Sequence, residues 1–168
     1  MRLFFALWPP HETAQALSDW ATQACGQSGG KITGVENIHL TLAFLGEADA
    51  EKALGAARRV RARRHELPIE AARYVKRNEM VWVAPAAVPP ELTALAADLQ
   101  RALRAAGFAL EERPFAAHVT LVRKARMPRS IPPLPRVRWP VDEFVLVQSR
   151  TSPKGSTYEP LERFALQH

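Results

Sequence analysis

The chain has 168 residues, 23 Lys+Arg against 17 Asp+Glu for a formal charge of +6, 47% hydrophobic residues and one cysteine. A chain of this order buries roughly two-thirds of its extended surface on folding, so it needs no staples, and Cys25 alone can form neither an internal disulfide nor a cysteine-rich zinc site. No apolar run reaches the ~18 residues of a membrane span and the opening residues lack a signal-peptide core, so the expectation is one domain over residues 1–168, cytoplasmic, off the membrane and monomeric.

Residues 2–8 carry bulky, β-favouring types and stop at Pro9-Pro10, which predicts a strand ending in a turn. Ala14, Leu17, Ala21 and Ala24 then recur at spacings of three and four, predicting a helix over residues 12–25 that the Gly/Ser run 26–30 terminates. A strand is expected at 38–45, closed by Gly46, and Asp49 is placed to cap an Ala/Arg-rich helix running to about Arg64. Residues 69–75 and 80–84 are expected as two more strands, turning through Arg77-Asn78. Pro89-Pro90 opens a helix over 91–106 with Leu92, Leu95, Leu99 and Leu103 as its apolar stripe and Gly107 at its C-terminal cap. A strand at 117–122, a proline-rich basic connection over 124–140, and two last strands at 141–149 and 158–166 complete the chain. The expectation is an α+β fold with about seven strands and three helices, the second half repeating the order of the first.

Charge is unevenly spread. Seven basic residues and no acid lie between Arg113 and Arg138, and six more lie between Lys52 and Arg64, again without an acid. Such clusters point to a phosphate-bearing partner, although an arginine face on a helix is equally expected to be simply solvated.

Two segments share a tetrapeptide pattern, His39-Leu40-Thr41-Leu42 and His118-Val119-Thr120-Leu121, so two of the chain's five histidines stand in the same setting. On a strand, residues i and i+2 point to one face and i+1 and i+3 to the other. Each motif therefore turns apolar residues to a core and sets an imidazole beside a hydroxyl on the opposite side. Should the two strands adjoin, two imidazoles and two hydroxyls converge. Imidazole exchanges protons near neutral pH and can act as base and as acid, while Thr hydroxyls can hold phosphate oxygens. The set suits phosphodiester hydrolysis without a metal.

These motifs, with the opening Arg2-Leu3-Phe4-Phe5-Ala6-Leu7-Trp8-Pro9-Pro10, the flanks of both motifs and the closing Gly155-Ser156-Thr157-Tyr158-Glu159-Pro160-Leu161, resemble the RNA 2′,3′-cyclic phosphodiesterases, also called 2′-5′ RNA ligases, of the two-histidine (2H) phosphoesterase superfamily. The resemblance runs from Arg2 to about Leu166. It implies a bilobal fold, two pseudo-twofold-related lobes of antiparallel sheet and helix around a central cleft. It implies hydrolysis of RNA 2′,3′-cyclic phosphate ends to 2′-phosphates, with His39 as proton donor, His118 as proton acceptor and no cofactor or metal. Thr41, Thr120 and Arg123 would hold the phosphate. Arg123 has strand parity opposite to His118, so its approach requires the strand to end or twist. Phe44, Phe115 and Tyr158 are candidate substrate contacts, with core packing as their competing role.

The Gly26-Gln27-Ser28-Gly29-Gly30-Lys31 segment superficially resembles a phosphate-binding P-loop, but its spacing is one residue short, Ile32 replaces the Ser/Thr, and it follows a helix. His11, His65 and His168 show no metal-ligand spacing. Two other activities stay open: the reverse reaction, joining a 5′-hydroxyl end through a 2′-5′ bond, and RNA binding without turnover.

Overall fold

The computed structural model describes residues 1–168, with ten strands and three α-helices in the order β1 (Arg2–Leu7), α1 (His11–Ser28), β2 (Lys31–Ile32), β3 (Leu40–Glu47), α2 (Ala50–Ala57), β4 (His65–Ile69), β5 (Ala71–Val75), β6 (Met80–Ala84), α3 (Pro90–Ala105), β7 (Val119–Arg123), β8 (Val137–Val141), β9 (Glu143–Ser152) and β10 (Gly155–Ala165). No helix is long and apolar enough to cross a membrane.

Two four-stranded antiparallel sheets carry the architecture, one in the order β10-β9-β1-β3 and the other in the order β2-β7-β6-β5, while β4 and β8 form a separate ribbon. β1 is buried on both faces. Leu3, Phe5 and Leu7 enter the main core, whereas Phe4 and Ala6 join Val145 and Val147 in a small cluster on the other side, against which Trp8 and Tyr158 pack. The helices exchange partners between the halves. α1, from the first half, packs on β7 of the second sheet, and α3, from the second half, packs on β3 of the first. One core of 35 buried residues, including Trp20 of α1, Leu99 of α3 and Trp139 of β8, joins the lobes.

The differences from the sequence expectation have local causes. α1 runs on to Ser28 and stops where Gly29 takes φ 63° and its N–H closes on the Cys25 carbonyl at 2.7 Å. α2 ends at Ala57 rather than near Arg64, because Val60 and Ala62 are buried while Arg59, Arg61 and Arg63 point outward, a period of two rather than 3.6. That segment is held instead by the Asp98 carboxylate, which accepts from the Arg61 N–H at 2.9 Å, and by the chain's last residues. The expected strand 69–75 breaks at Glu70: β4 pairs with β8 and β5 with β6. β8 takes up the end of the expected connection 124–140 together with Val141. Its alternation, Val137, Trp139 and Val141 in and Arg138 and Pro140 out, is regular, and Pro140 is tolerated because β8 has only one neighbour in its ribbon.

Part of the two arginine clusters is absorbed by structure. Arg136 and Arg138 pair with Glu70 and Glu66, and Arg113 with Glu111. Arg58 pairs with Glu162, and the Arg61 guanidinium donates to the carbonyls of Arg58 and Val60 just past α2.

Candidate active site

β3 is the edge strand of one sheet and β7 an inner strand of the other, and the two meet where the lobes join. In each, the apolar residues of the tetrapeptide are buried, Leu40 and Leu42 in β3 and Val119 and Leu121 in β7. Pleat alternation then presents His39 with Thr41, and His118 with Thr120, to the other side. All four line a single cleft of about 470 Å³.

Both strands bulge at the same motif position. Opposite β1, Thr41 pairs with Ala6 and Ala43 with Phe5, so Leu42 is the extra residue; opposite β6, Thr120 pairs with Trp82 and Val122 with Val81, so Leu121 is extra. A bulge puts two residues opposite one and resets the alternation beyond it. The fifth residue after each histidine therefore returns to the cleft side: Phe44 after His39 and Arg123 after His118. The parity conflict expected for Arg123 disappears for this reason.

The imidazoles are held alike. Nδ1 of His39 is 2.7 Å from the Asn37 carbonyl and Nδ1 of His118 is 2.9 Å from that of Ala116. A carbonyl only accepts, so each Nδ1–H donates and Nε2 is left for the cleft. Their surroundings differ. His39 is enclosed by three aromatic rings, with Trp8 stacked at 4.8 Å and 10°, Tyr158 edge-on at 5.2 Å and Phe4 at 5.2 Å. The Trp8 indole N–H donates to the Glu36 carbonyl at 3.0 Å, which orients the plate. His118 rests on a single ring, Trp82. Burial holds the His39 pKa below its ordinary value of 6.5; the Asn37 carbonyl opposes this, and the charges of Arg123 and His118 add to the depression.

Tyr158 lines the cleft as well as touching His39. Phe44 is 55% exposed in an adjoining cavity of about 250 Å³, with the Arg2 guanidinium 5.5 Å above its ring. Phe115 does not reach the cleft: it packs against the core, in phase with the buried Ala117 and Val119 and with no bulge to redirect it. Trp8 and Trp82 were missed by sequence reasoning. Trp82 was legible, since it alternates with Val81 and Val83, both buried, and so faces away from the core with Thr120. His11, His65 and His168 are outside the cleft, and no three His, Cys, Asp or Glu side chains are grouped to hold a metal.

Comparison with known proteins places this geometry. The family model described as LigT like Phosphoesterase matches twice, over residues 7–82 and 81–158, one match for each histidine motif. The chain is 36% identical to the RNA 2′,3′-cyclic phosphodiesterase of Escherichia coli (strain K12), over 98% of this chain and 96% of that protein. It is 37% identical to the enzyme of the same name from Thermus thermophilus, over 99% of this chain and 90% of that protein. A crystal structure of E. coli LigT complexed with 3′-AMP superposes with a TM-score of 0.90 at 34% identity, covering 99% of this chain and 98% of that one. With the family model matched in both halves and these relatives aligned over nearly the whole chain, the chain belongs to the LigT-like phosphoesterase family.

Proposed function

We propose that this protein hydrolyses the 2′,3′-cyclic phosphate end of RNA to a 2′-phosphate. The observation that carries the reading is the presentation of two Nε2 atoms, two threonine hydroxyls and one arginine to the same cleft. In this scheme Thr41, Thr120 and Arg123 hold the non-bridging oxygens. His118 Nε2 takes a proton from water as the water oxygen attacks phosphorus. The P–O3′ bond breaks and His39 Nε2 delivers its proton to O3′, leaving a 3′-hydroxyl and a 2′-phosphomonoester. Proton exchange with solvent resets both rings.

His39 must be protonated to act as the acid, yet burial favours its neutral form. The cyclic phosphate brings a negative charge beside it and favours the imidazolium, so substrate binding and protonation of His39 reinforce one another. The same arrangement run backwards, with a 5′-hydroxyl replacing water, would give the 2′-5′ joining reaction.

The test is opening of a nucleoside 2′,3′-cyclic phosphate by chelator-treated protein, with product position assigned by ³¹P NMR. A 2′-phosphate product is expected. RNA binding without turnover would overturn the reading in favour of a binding module.

A further inference from the structure

The reaction above uses one negative charge, that of the cyclic diester, and meets it with Arg123 and the protonated His39. The cleft holds more cation than this. Lys31 and Lys124 also line it, both are exposed, and no carboxylate is among the lining residues. Neither lysine nor Arg123 takes part in any of the protein's ion pairs, in contrast to Arg113, Arg136 and Arg138 from the same basic stretch.

The crowding is built in. Lys31 stands directly opposite Arg123 in the β2–β7 ladder, and Lys124 follows Arg123 in the chain. Like charges directly opposite in a sheet repel and cost stability. Lys124 is moreover held at φ 52°, a left-handed conformation unusual for a residue with a side chain. The backbone pins it there. Ala125 N–H donates to the Glu79 carbonyl and Arg126 N–H to the Ser28 carbonyl, each at 2.8 Å. Gly30 approaches so closely that a Cβ there would lie 2.4 Å from the Arg123 carbonyl oxygen. The glycine segment 26–30, which fails as a P-loop, thus delivers Lys31 to a phosphate cleft by a different route: it lets β2 lie against β7. Repelling cations held in place by a strained backbone are accounted for by an anion that sits among them.

We propose that Lys31 and Lys124 form a second-phosphate subsite, which binds a phosphate of the RNA other than the reacting one and makes the cleft prefer a cyclic phosphate borne on a strand over a mononucleoside 2′,3′-cyclic phosphate. The inference rests on the hydrolase reading and adds a specificity determinant to it. The phosphate has two sources, the strand that carries the cyclic end or the 5′-hydroxyl strand of the joining reaction, and both present the same phosphodiester to the two ammonium groups.

The experiment compares kcat/KM for a nucleoside 2′,3′-cyclic phosphate, its 5′-phosphorylated form and a dinucleotide ending in a cyclic phosphate, using wild type, K31Q, K124Q and the double variant, across a salt series. Wild type is expected to favour the substrates with a second phosphate by about tenfold, and the double variant to bring that ratio close to unity. The slope of log(kcat/KM) against log[salt] for the dinucleotide should become shallower by about 0.7 for each phosphate that the variant no longer neutralises. A parallel arm measures joining of the mononucleoside cyclic phosphate to a 5′-hydroxyl dinucleotide; an effect of the lysines confined to that arm assigns the phosphate to the acceptor strand. Equal kcat/KM for all three substrates in wild type, with joining unaffected by the variants, overturns the subsite. So does a preference that survives in the double variant, with melting curves verifying that it is folded. A wild-type protein that opens none of the three overturns the hydrolase reading itself.

Discussion

His118 lies flat against Trp82, their ring centroids 3.9 Å apart and their planes 18° from parallel. Trp82 is in register with Thr120, so the residue that supports His118 stands beside the other polar member of the second motif. In the proposed reaction His118 gains a proton as the attacking water loses one, and an aromatic face would attract the imidazolium that forms. The stack also limits the ring to one rotamer, with Nδ1 already held by the Ala116 carbonyl.

Replacing Trp82 by Leu should therefore lower kcat by about fivefold to thirtyfold, the equivalent of roughly 1–2 kcal/mol, while Trp82→Phe restores most of it. Steady-state kinetics on a cyclic mononucleotide check this. Because the buried Trp82 indole N–H has no acceptor, the Phe variant loses no hydrogen bond, and its melting temperature should stay close to wild type.

His39→Ala and His118→Ala should each reduce kcat by about 10²–10⁴, the usual contribution of a positioned acid or base. The double variant should be little worse than either single one, since the two residues act in one step. Retained activity in either single variant, with circular dichroism unchanged, would remove that histidine from the assigned chemistry.

The pH dependence follows from the sign of the His39 shift. As the proposed acid it must be protonated, and burial lowers its pKa below 6.5, so kcat/KM should fall as pH rises through that depressed value. The alkaline limb of kcat should sit at higher pH, because bound phosphate favours the imidazolium. Coincident limbs for kcat and kcat/KM would contradict that coupling.

The same shift acts on stability. A histidine that is harder to protonate in the folded state contributes its stability fully above the unfolded value of 6.5 and loses it as pH falls from there through the folded pKa. Chemical denaturation of wild type and His39→Asn at a series of pH values should show the slope below 6.5 flattened in the variant.

Gly30→Ala should destabilise the protein by about 1–3 kcal/mol, since φ is +99° there and the new Cβ would meet the Arg123 carbonyl at 2.4 Å. The relief open to the chain is to part β2 from β7, which moves Lys31 away from Arg123 and displaces both from their places in the cleft. KM for a cyclic phosphate should rise more than kcat falls, measured alongside the melting temperature.

The two histidine motifs were legible in the linear chain because a strand's period of two is a local property. His39 with Thr41 and His118 with Thr120 share a face wherever their strands are placed. Arg123 was legible as a residue type and not as a direction, since its facing depends on the bulge at Leu121, which only pairing with β6 reveals. Trp8 was read as the end of a strand. Its stacking on His39 depends on the turn at Pro9 and on the indole's bond to the Glu36 carbonyl, a contact between distant residues. The ribbon strand β8 was hidden by Pro140 and the proline-rich segment before it, and the extent of α2 by alanines and arginines that suit a helix as well as an extended arm.

By itself, then, the sequence determined the chemistry available to this protein: two imidazole–hydroxyl pairs on strands, an excess of cations and no cysteine partner for a disulfide. Those follow from residue identity and from periods of two and 3.6, which need no long-range contact. The tertiary structure decided which groups work together and how they differ. Crossing the helices between lobes brings β3 beside β7, two bulges turn Phe44 and Arg123 to the cleft side, and an aromatic enclosure around His39 but a single plate under His118 separates two histidines that the motif alone leaves alike. Register and desolvation depend on neighbours far apart in the chain, and no local pattern encodes them.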